Sequence, residues 1–115
     1  MAEMEWAEGG AGPGTLLLRL SDELDLADYD RISEEIHMRS AEEHDALVVD
    51  LTGLEFMDSS GVRLLVAAHA ECEGAGRRFA VVAGDGPVRR ILEMLQVHEV
   101  LRVVSSVEEL SSPPD

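Results

Sequence analysis

The order of apolar runs in this sequence predicts an α/β domain built on a largely parallel sheet. Three observations lead there. First, short β-like runs alternate with segments of helical period in the order strand, helix, strand, helix, strand, helix, strand, and such alternation calls for right-handed crossovers. Second, the strand-like runs are rich in Leu and Val, as buried strands are. Third, 115 residues, 45% of them apolar, suffice for one domain with its own core. With only 3% aromatics, that core must be built from Leu, Val, Ile and Ala.

Taken in order, Met4-Glu5-Trp6 predicts an edge strand, and Gly9-Gly10-Ala11-Gly12-Pro13-Gly14 a flexible turn. Thr15 to Leu20 reads as a buried strand, followed by a polar segment, Ser21-Asp22-Glu23-Leu24-Asp25, that leads into a helix. Tyr29, Ile32 and Ile36 recur at spacings of three and four, so a helix is expected over roughly 27–42. Ala46 to Leu51 is a second buried strand, which Thr52-Gly53 is expected to break. After Asp58-Ser59-Ser60-Gly61, residues Val62, Leu65, Val66, His69 and Cys72 mark the buried stripe of a helix that stops at Gly74-Ala75-Gly76. Phe79 to Ala83 is expected as a third strand. Pro87 opens a helix whose buried face is Val88, Ile91, Leu92 and Leu95. Val100 to Val104 is the last strand, and Ser106 caps a short final helix through Leu110. The domain proper is expected at 15–110, with 1–14 as edge strand and turn and 111–115 as a disordered tail.

Charge narrows the function. Nine basic residues against 24 acidic ones give a net charge of −15. Nucleic acid and anionic membranes are therefore not expected as partners, because both need clustered Lys and Arg. A basic protein surface would be steered towards this chain. The single cysteine, Cys72, cannot pair internally, no run is long enough to span a bilayer, and the acidic start lacks the pattern of a signal peptide. A cytoplasmic monomer is expected.

The strongest local feature is Asp58-Ser59-Ser60-Gly61, at a strand end and a helix start, where sites gather in open α/β sheets. A serine there is ordinarily a helix cap. The alternative is a phosphorylation site, because exposed amides and the helix dipole tolerate a phosphate at that place. A serine nucleophile would need a base. None of the histidines 37, 44, 69 and 98 sits beside a partner motif, and Gly-x-Ser-x-Gly is absent. Glu34-x-x-His37 has a metal-ligand spacing but no second copy. His69 falls on an apolar stripe and reads as a packed side chain. No catalytic residue, metal site or cofactor is expected.

The stretch Val48-Val49-Asp50-Leu51-Thr52-Gly53-Leu54-Glu55-Phe56-Met57-Asp58-Ser59-Ser60-Gly61-Val62 resembles the signature of STAS domains. It is most similar to the stand-alone anti-sigma factor antagonists of bacteria. Leu20-Ser21-Asp22-Glu23-Leu24-Asp25 resembles the family's Leu-x-Gly-Glu-Leu-Asp segment, with Asp22 where glycine is usual. Pro87 to Leu92 and Val100 to Val104 resemble its late helix and last strand. The resemblance implies a mixed, mostly parallel sheet of four to five strands packed with helices. It also implies partner switching: the protein binds an anti-sigma factor that is a serine kinase, so that a sigma factor is released for transcription. The kinase then phosphorylates Ser59, which breaks the complex, and a phosphatase restores it. ATP belongs to the partner. Asp58, Ser60, Gly61, Val62 and Arg63, with Asp22, Glu23 and Asp25, would flank the docking surface. STAS-like domains also serve as non-catalytic modules of signalling scaffolds and transporters, which is the alternative reading.

Overall fold

In a computed structural model, which describes residues 1–8, 14–39, 42 and 44–111, the chain forms one five-stranded sheet in the order β1-β2-β3-β4-β5. The strands are β1 (Glu3–Glu8), β2 (Thr15–Leu24), β3 (Ala46–Met57), β4 (Arg78–Val82) and β5 (Val103–Val104). Strand β1 pairs antiparallel with β2, and every later pair is parallel. Helices α1 (Leu26–Arg39), α2 (Ser59–Gly74) and α3 (Pro87–Met94) are the crossovers. Because neighbouring strands follow one another in sequence, right-handed crossovers put all three helices on one face. Their buried residues, among them Ile32, Ile36, Leu64, Leu65, Ala68, Val88 and Leu92, share one core with Leu16, Leu18, Leu20, Val49, Leu51 and Val81. A smaller cluster on the opposite face joins Leu17, Val48, Ala80, Val82 and Val104, and a closing 3₁₀ turn, Val107–Ser111, packs Val107 and Leu110 onto it.

Several expectations need correction. Thr52-Gly53 does not break β3. Asp50 accepts hydrogen bonds from the Thr52 amide (2.9 Å) and hydroxyl (2.7 Å), and Gly53 pairs with Ser21. Nor is Ser21 to Leu24 an irregular approach to the helix: it prolongs β2, through register shifts on either side of Asp22, as far as Leu24 opposite Met57. Since β4 pairs only with Ala46 to Asp50, the far halves of β2 and β3 continue as a two-stranded ribbon. The last strand shrinks to two residues, because Gln96 in the left-handed region (φ 55°) ends the α3 segment and Val97–Glu99 coils into a 3₁₀ turn. The final helix is likewise 3₁₀. On α2, Val66 is exposed while Leu64 and Ala68 are buried, and Leu95, expected on the buried face of α3, follows the end of that helix and is exposed. Helix α1 runs Leu26–Arg39; of the expected extension to 42, residues 40 and 41 lie outside the described residues, as do the turn at 9–13 and the tail at 112–115, while Glu42 stands in a bend and not in the helix.

Candidate functional site

The ribbon of β2 and β3 delivers two helix starts to the same place. The Asp58 amide donates to the Leu24 carbonyl (3.3 Å), so the residue before α2 is tied to the residue that ends β2, one step ahead of Asp25. Each helix is then capped by its own aspartate: Ala27 N–H donates to Asp25 Oδ1 (3.0 Å), and Ser60 N–H donates to Asp58 Oδ1 (2.8 Å). Asp58 has the extended backbone of an N-cap (φ −98°, ψ −173°). The ordinary expectation for a serine at a helix start is thus met by its neighbour. Asp58 holds the cap, Ser59 is the first helical residue and is exposed, and Ser60 is buried.

Gly61 sets how closely α2 sits. A Cβ there would meet Met57 Cγ, Met57 Sδ at 2.7 Å and Leu24 Cδ2 at 3.0 Å. Both neighbours are fully buried, so the close approach of the first turn of α2 to the ribbon requires glycine. Packed inward on Gly61 and Val62, the turn presents Ser59 outward. Asp22 has φ 75°, between the two register shifts. A left-handed residue in a bulge favours glycine, and aspartate is among the few side chains that tolerate it. This accounts for aspartate here in physical terms and leaves the ribbon intact.

Of the expected docking residues, Asp22, Glu23, Ser59 and Arg63 are exposed, and Asp25 and Asp58 half-buried. Ser60, Gly61 and Val62 are buried and shape the turn from within. The residues that sequence reasoning missed are apolar or structural. Phe56 (46% exposed) and Leu26 (66%) flank the two helix starts. Leu26 was detectable as an apolar residue off the Tyr29, Ile32, Ile36 stripe. Tyr29, expected in the core, is half-buried and lies under the Arg63 guanidinium, 5.4 Å from Cζ to ring centroid. Asp28 is fully buried beneath the α1 start and accepts from Ala2 N–H (3.2 Å), Asp25 N–H (3.2 Å) and Arg31 Nη2 (3.0 Å). Burial pushes its carboxyl up, but the bonds from Arg31, Asp25 and Ala2, with the positive amino terminus, outweigh that and hold it below the usual range.

The histidines stand elsewhere. His69 lies ten residues along α2 from Ser59, about 15 Å, edge-on to Phe79 with Nε2 3.4 Å from Glu73. His37 is exposed and meets Glu71 at 2.7 Å. His44 bonds the Glu42 carbonyl (2.9 Å) just ahead of β3, away from the ribbon tip. The Cys72 thiol is buried, and desolvation, reinforced by Glu71 and opposed by Arg77, pushes its pKa up, which disfavours the reactive thiolate. Among the described residues no helix is long and apolar enough to cross a membrane.

Comparison with known proteins places this geometry. Residues 11–110 match the family described as STAS domain. The anti-sigma-F factor antagonist RsfB of Mycobacterium tuberculosis is 31% identical over 96 residues, covering 84% of this chain and 78% of that protein. An anti-sigma F factor antagonist of Paenibacillus polymyxa is 32% identical over 94 residues, covering 78% of each. Among solved structures, an anti-sigma factor antagonist from Mycobacterium paratuberculosis matches with a TM-score of 0.84 at 21% identity, over 96% of this chain and 91% of that one. The anti-sigma factor antagonist SpoIIAA in its unphosphorylated form matches with a TM-score of 0.73 (21% identity, 96% and 93% covered), and the Bacillus cell fate determinant SpoIIAA in its phosphorylated form with 0.68 (20%, 96% and 97%). At these identities the structural matches establish the fold. With the family match running from residue 11 to residue 110 and two relatives above 30% identity, the chain belongs to the STAS domain family.

Proposed function

We propose that this protein is an anti-sigma factor antagonist that works as a cytoplasmic monomer. It binds an anti-sigma factor that is also a serine kinase, so that a sigma factor is released, and phosphorylation of Ser59 ends the binding. In that step the Ser59 Oγ–P bond forms as the γ-phosphate of the partner's ATP leaves ADP, and the hydroxyl proton passes to a base of the kinase. A phosphatase restores the hydroxyl by hydrolysing the ester with water, releasing inorganic phosphate. The observation that carries the reading is the placement of Ser59: exposed, first in α2, beside an aspartate that has already taken the cap. Its hydroxyl is therefore available without undoing the helix start. The names of the relatives support the activity. SpoIIAA, of the same fold, exists in phosphorylated and unphosphorylated forms, which supports a phosphate as the switch.

Long-range charge brings the partner in, and local desolvation at Ser59 ends the binding. The rim of Asp22, Glu23, Asp25 and Asp58 attracts a basic partner surface, while Phe56 and Leu26 offer apolar contact. A phosphate on Ser59 would set about −1.5 to −2 charges and a bulky, strongly hydrated group against the Phe56 and Leu26 contact. The desolvation and steric cost of docking over it is what breaks the interface, since added negative charge alone would only strengthen attraction to a basic surface. The first-turn amides of α2 tolerate the phosphate, so the fold persists and the interface is what changes.

Incubation with the cognate kinase and ATP, followed by mass-spectrometric mapping, should place one phosphate on Ser59 and none on a Ser59→Ala variant. A partner that binds yet modifies a different residue would sink the reading. Ser59→Asp should weaken kinase binding at least tenfold, about 1.4 kcal/mol, with an unchanged melting temperature. Equal affinity of the two forms in calorimetric titration contradicts the switch.

A further inference from the structure

Arg63 stands four residues after Ser59 on α2. Residues at that spacing share a helix face, with Cβ atoms about 5–6 Å apart. Helical side chains also lean towards the N-terminus, so the long Arg63 side chain reaches back along the turn that carries Ser59. Its guanidinium rests over Tyr29 of α1, a contact that is weak where both groups meet solvent. Arg19, Arg31, Arg39 and Arg89 each pair with a carboxylate, whereas Arg63 has no such ion pair among the described residues. In a chain with 24 acidic residues and nine basic ones, an arginine left on an aromatic face beside the candidate phosphorylation site is notable for what it is held ready to bind.

Resting on the reading that Ser59 takes phosphate, we propose that Arg63 is the internal receiver of that phosphate: the guanidinium leaves Tyr29 and pairs with the phosphoryl oxygens on Ser59. Arginine suits the role, since its planar fork donates two parallel hydrogen bonds to a phosphate. The modification then does more than add charge. It moves the basic side chain of the docking rim, uncovers the Tyr29 ring between the starts of α1 and α2, and so reshapes the surface the partner reads. Arg63 is a positioning residue here, acting on the phosphate after transfer.

The test uses full-length protein with phosphoserine genetically encoded at position 59, so it needs no kinase. Phosphorus NMR titration reads the second ionisation of the phosphate, ordinarily near pH 6. A neighbouring cation favours the dianion and lowers that pKa. The value with Arg63 present should fall below that of an Arg63→Gln variant by roughly 0.2–0.7 units, the range of an exposed ion pair. The difference should close in molar salt. The acidic neighbours, Asp58 among them, are common to both proteins and cancel. In parallel, the Tyr29 ring resonances should shift on phosphorylation when Arg63 is present and stay put in the Arg63→Gln variant. Equal phosphate pKa values, or Tyr29 signals indifferent to phosphate, overturn the proposal. A kinase that ignores Ser59 defeats the modification reading alone, and failure of the titration defeats the role of Arg63 alone.

Discussion

Asp28→Ala removes the side chain that binds together the start of α1, the strand end and the amino-terminal segment. The carboxylate is fully buried and takes three hydrogen bonds, from Ala2 N–H, Asp25 N–H and Arg31. Deleting it leaves two backbone donors without their acceptor. Ala2 is buried, Asp25 half-buried, and each stranded donor costs about 1–3 kcal/mol, the second nearer the low end. Arg31 is 40% exposed and also donates to the Ala2 carbonyl (2.6 Å), so its lost ion pair adds at most about 1 kcal/mol. The expected loss is about 3 kcal/mol, a large share of a domain's stability of ~5–15 kcal/mol. At about 4 °C per kcal/mol for a domain of this size, the melting temperature should drop by about 12 °C. Circular dichroism melts and urea titrations at pH 7 measure it. The pH dependence has a definite sign. Because the folded-state carboxyl is held below its unfolded value, the stabilisation is complete above the unfolded pKa of about 3.9 and disappears as pH falls through the folded one. The gap between wild type and Asp28→Asn should therefore be full at neutrality and narrow below about pH 4. A melting temperature within about 3 °C of wild type for Asp28→Ala, or a gap that widens in acid, would refute the argument.

Three further outcomes follow from the same geometry. Gly61→Ala should cost about 1–3 kcal/mol by overpacking against Met57 and Leu24, seen as a lower urea midpoint at unchanged m-value. Asp58→Ala should cost about 0.5–2 kcal/mol, with hydrogen-exchange protection falling first in the amide of Ser60; unchanged protection there would mean the cap is not what holds the turn. Asp22→Val should cost about 1–2 kcal/mol through the left-handed backbone, while Asp22→Gly stays near wild type in the same urea titration, and equal losses for both would contradict the bulge geometry.

Much of the fold was legible because periodicity is a local property. The pattern Tyr29, Ile32, Ile36 marked α1, and the Leu and Val runs marked β2, β3 and β4, each by its own spacing. Errors arose where a local signal was overruled from a distance. Gly53 looked like a strand breaker but has a pairing partner in Ser21, 32 positions earlier, and that pairing holds β3 straight. The polar run from Ser21 to Glu23 reads as an approach to the helix because it lacks apolar residues; it is a strand because β3 continues beside it and only Leu24 needs burial. At the site, Ser59 and its turn could be picked out from the motif, whereas the division of labour between Asp58 and the two serines could not. Either aspartate or serine can cap a helix. The choice depends on the backbone angle at Asp58, which its bond to Leu24 helps hold.

Composition, periodicity and one motif determined the element order, the parallel sheet and the place of Ser59 at a strand-to-helix junction, because each of these is written in residues adjacent along the chain. Tertiary structure decided the rest. It set the starts of α1 and α2 side by side, buried Asp28 against Ala2, laid Arg63 on Tyr29 and turned Ser60 inward while Ser59 faced out. Those outcomes depend on contacts such as Asp58 with Leu24 and Arg63 with Tyr29, each joining residues 34 positions apart. No local pattern encodes such pairs, since they exist only once the ribbon of β2 and β3 has formed.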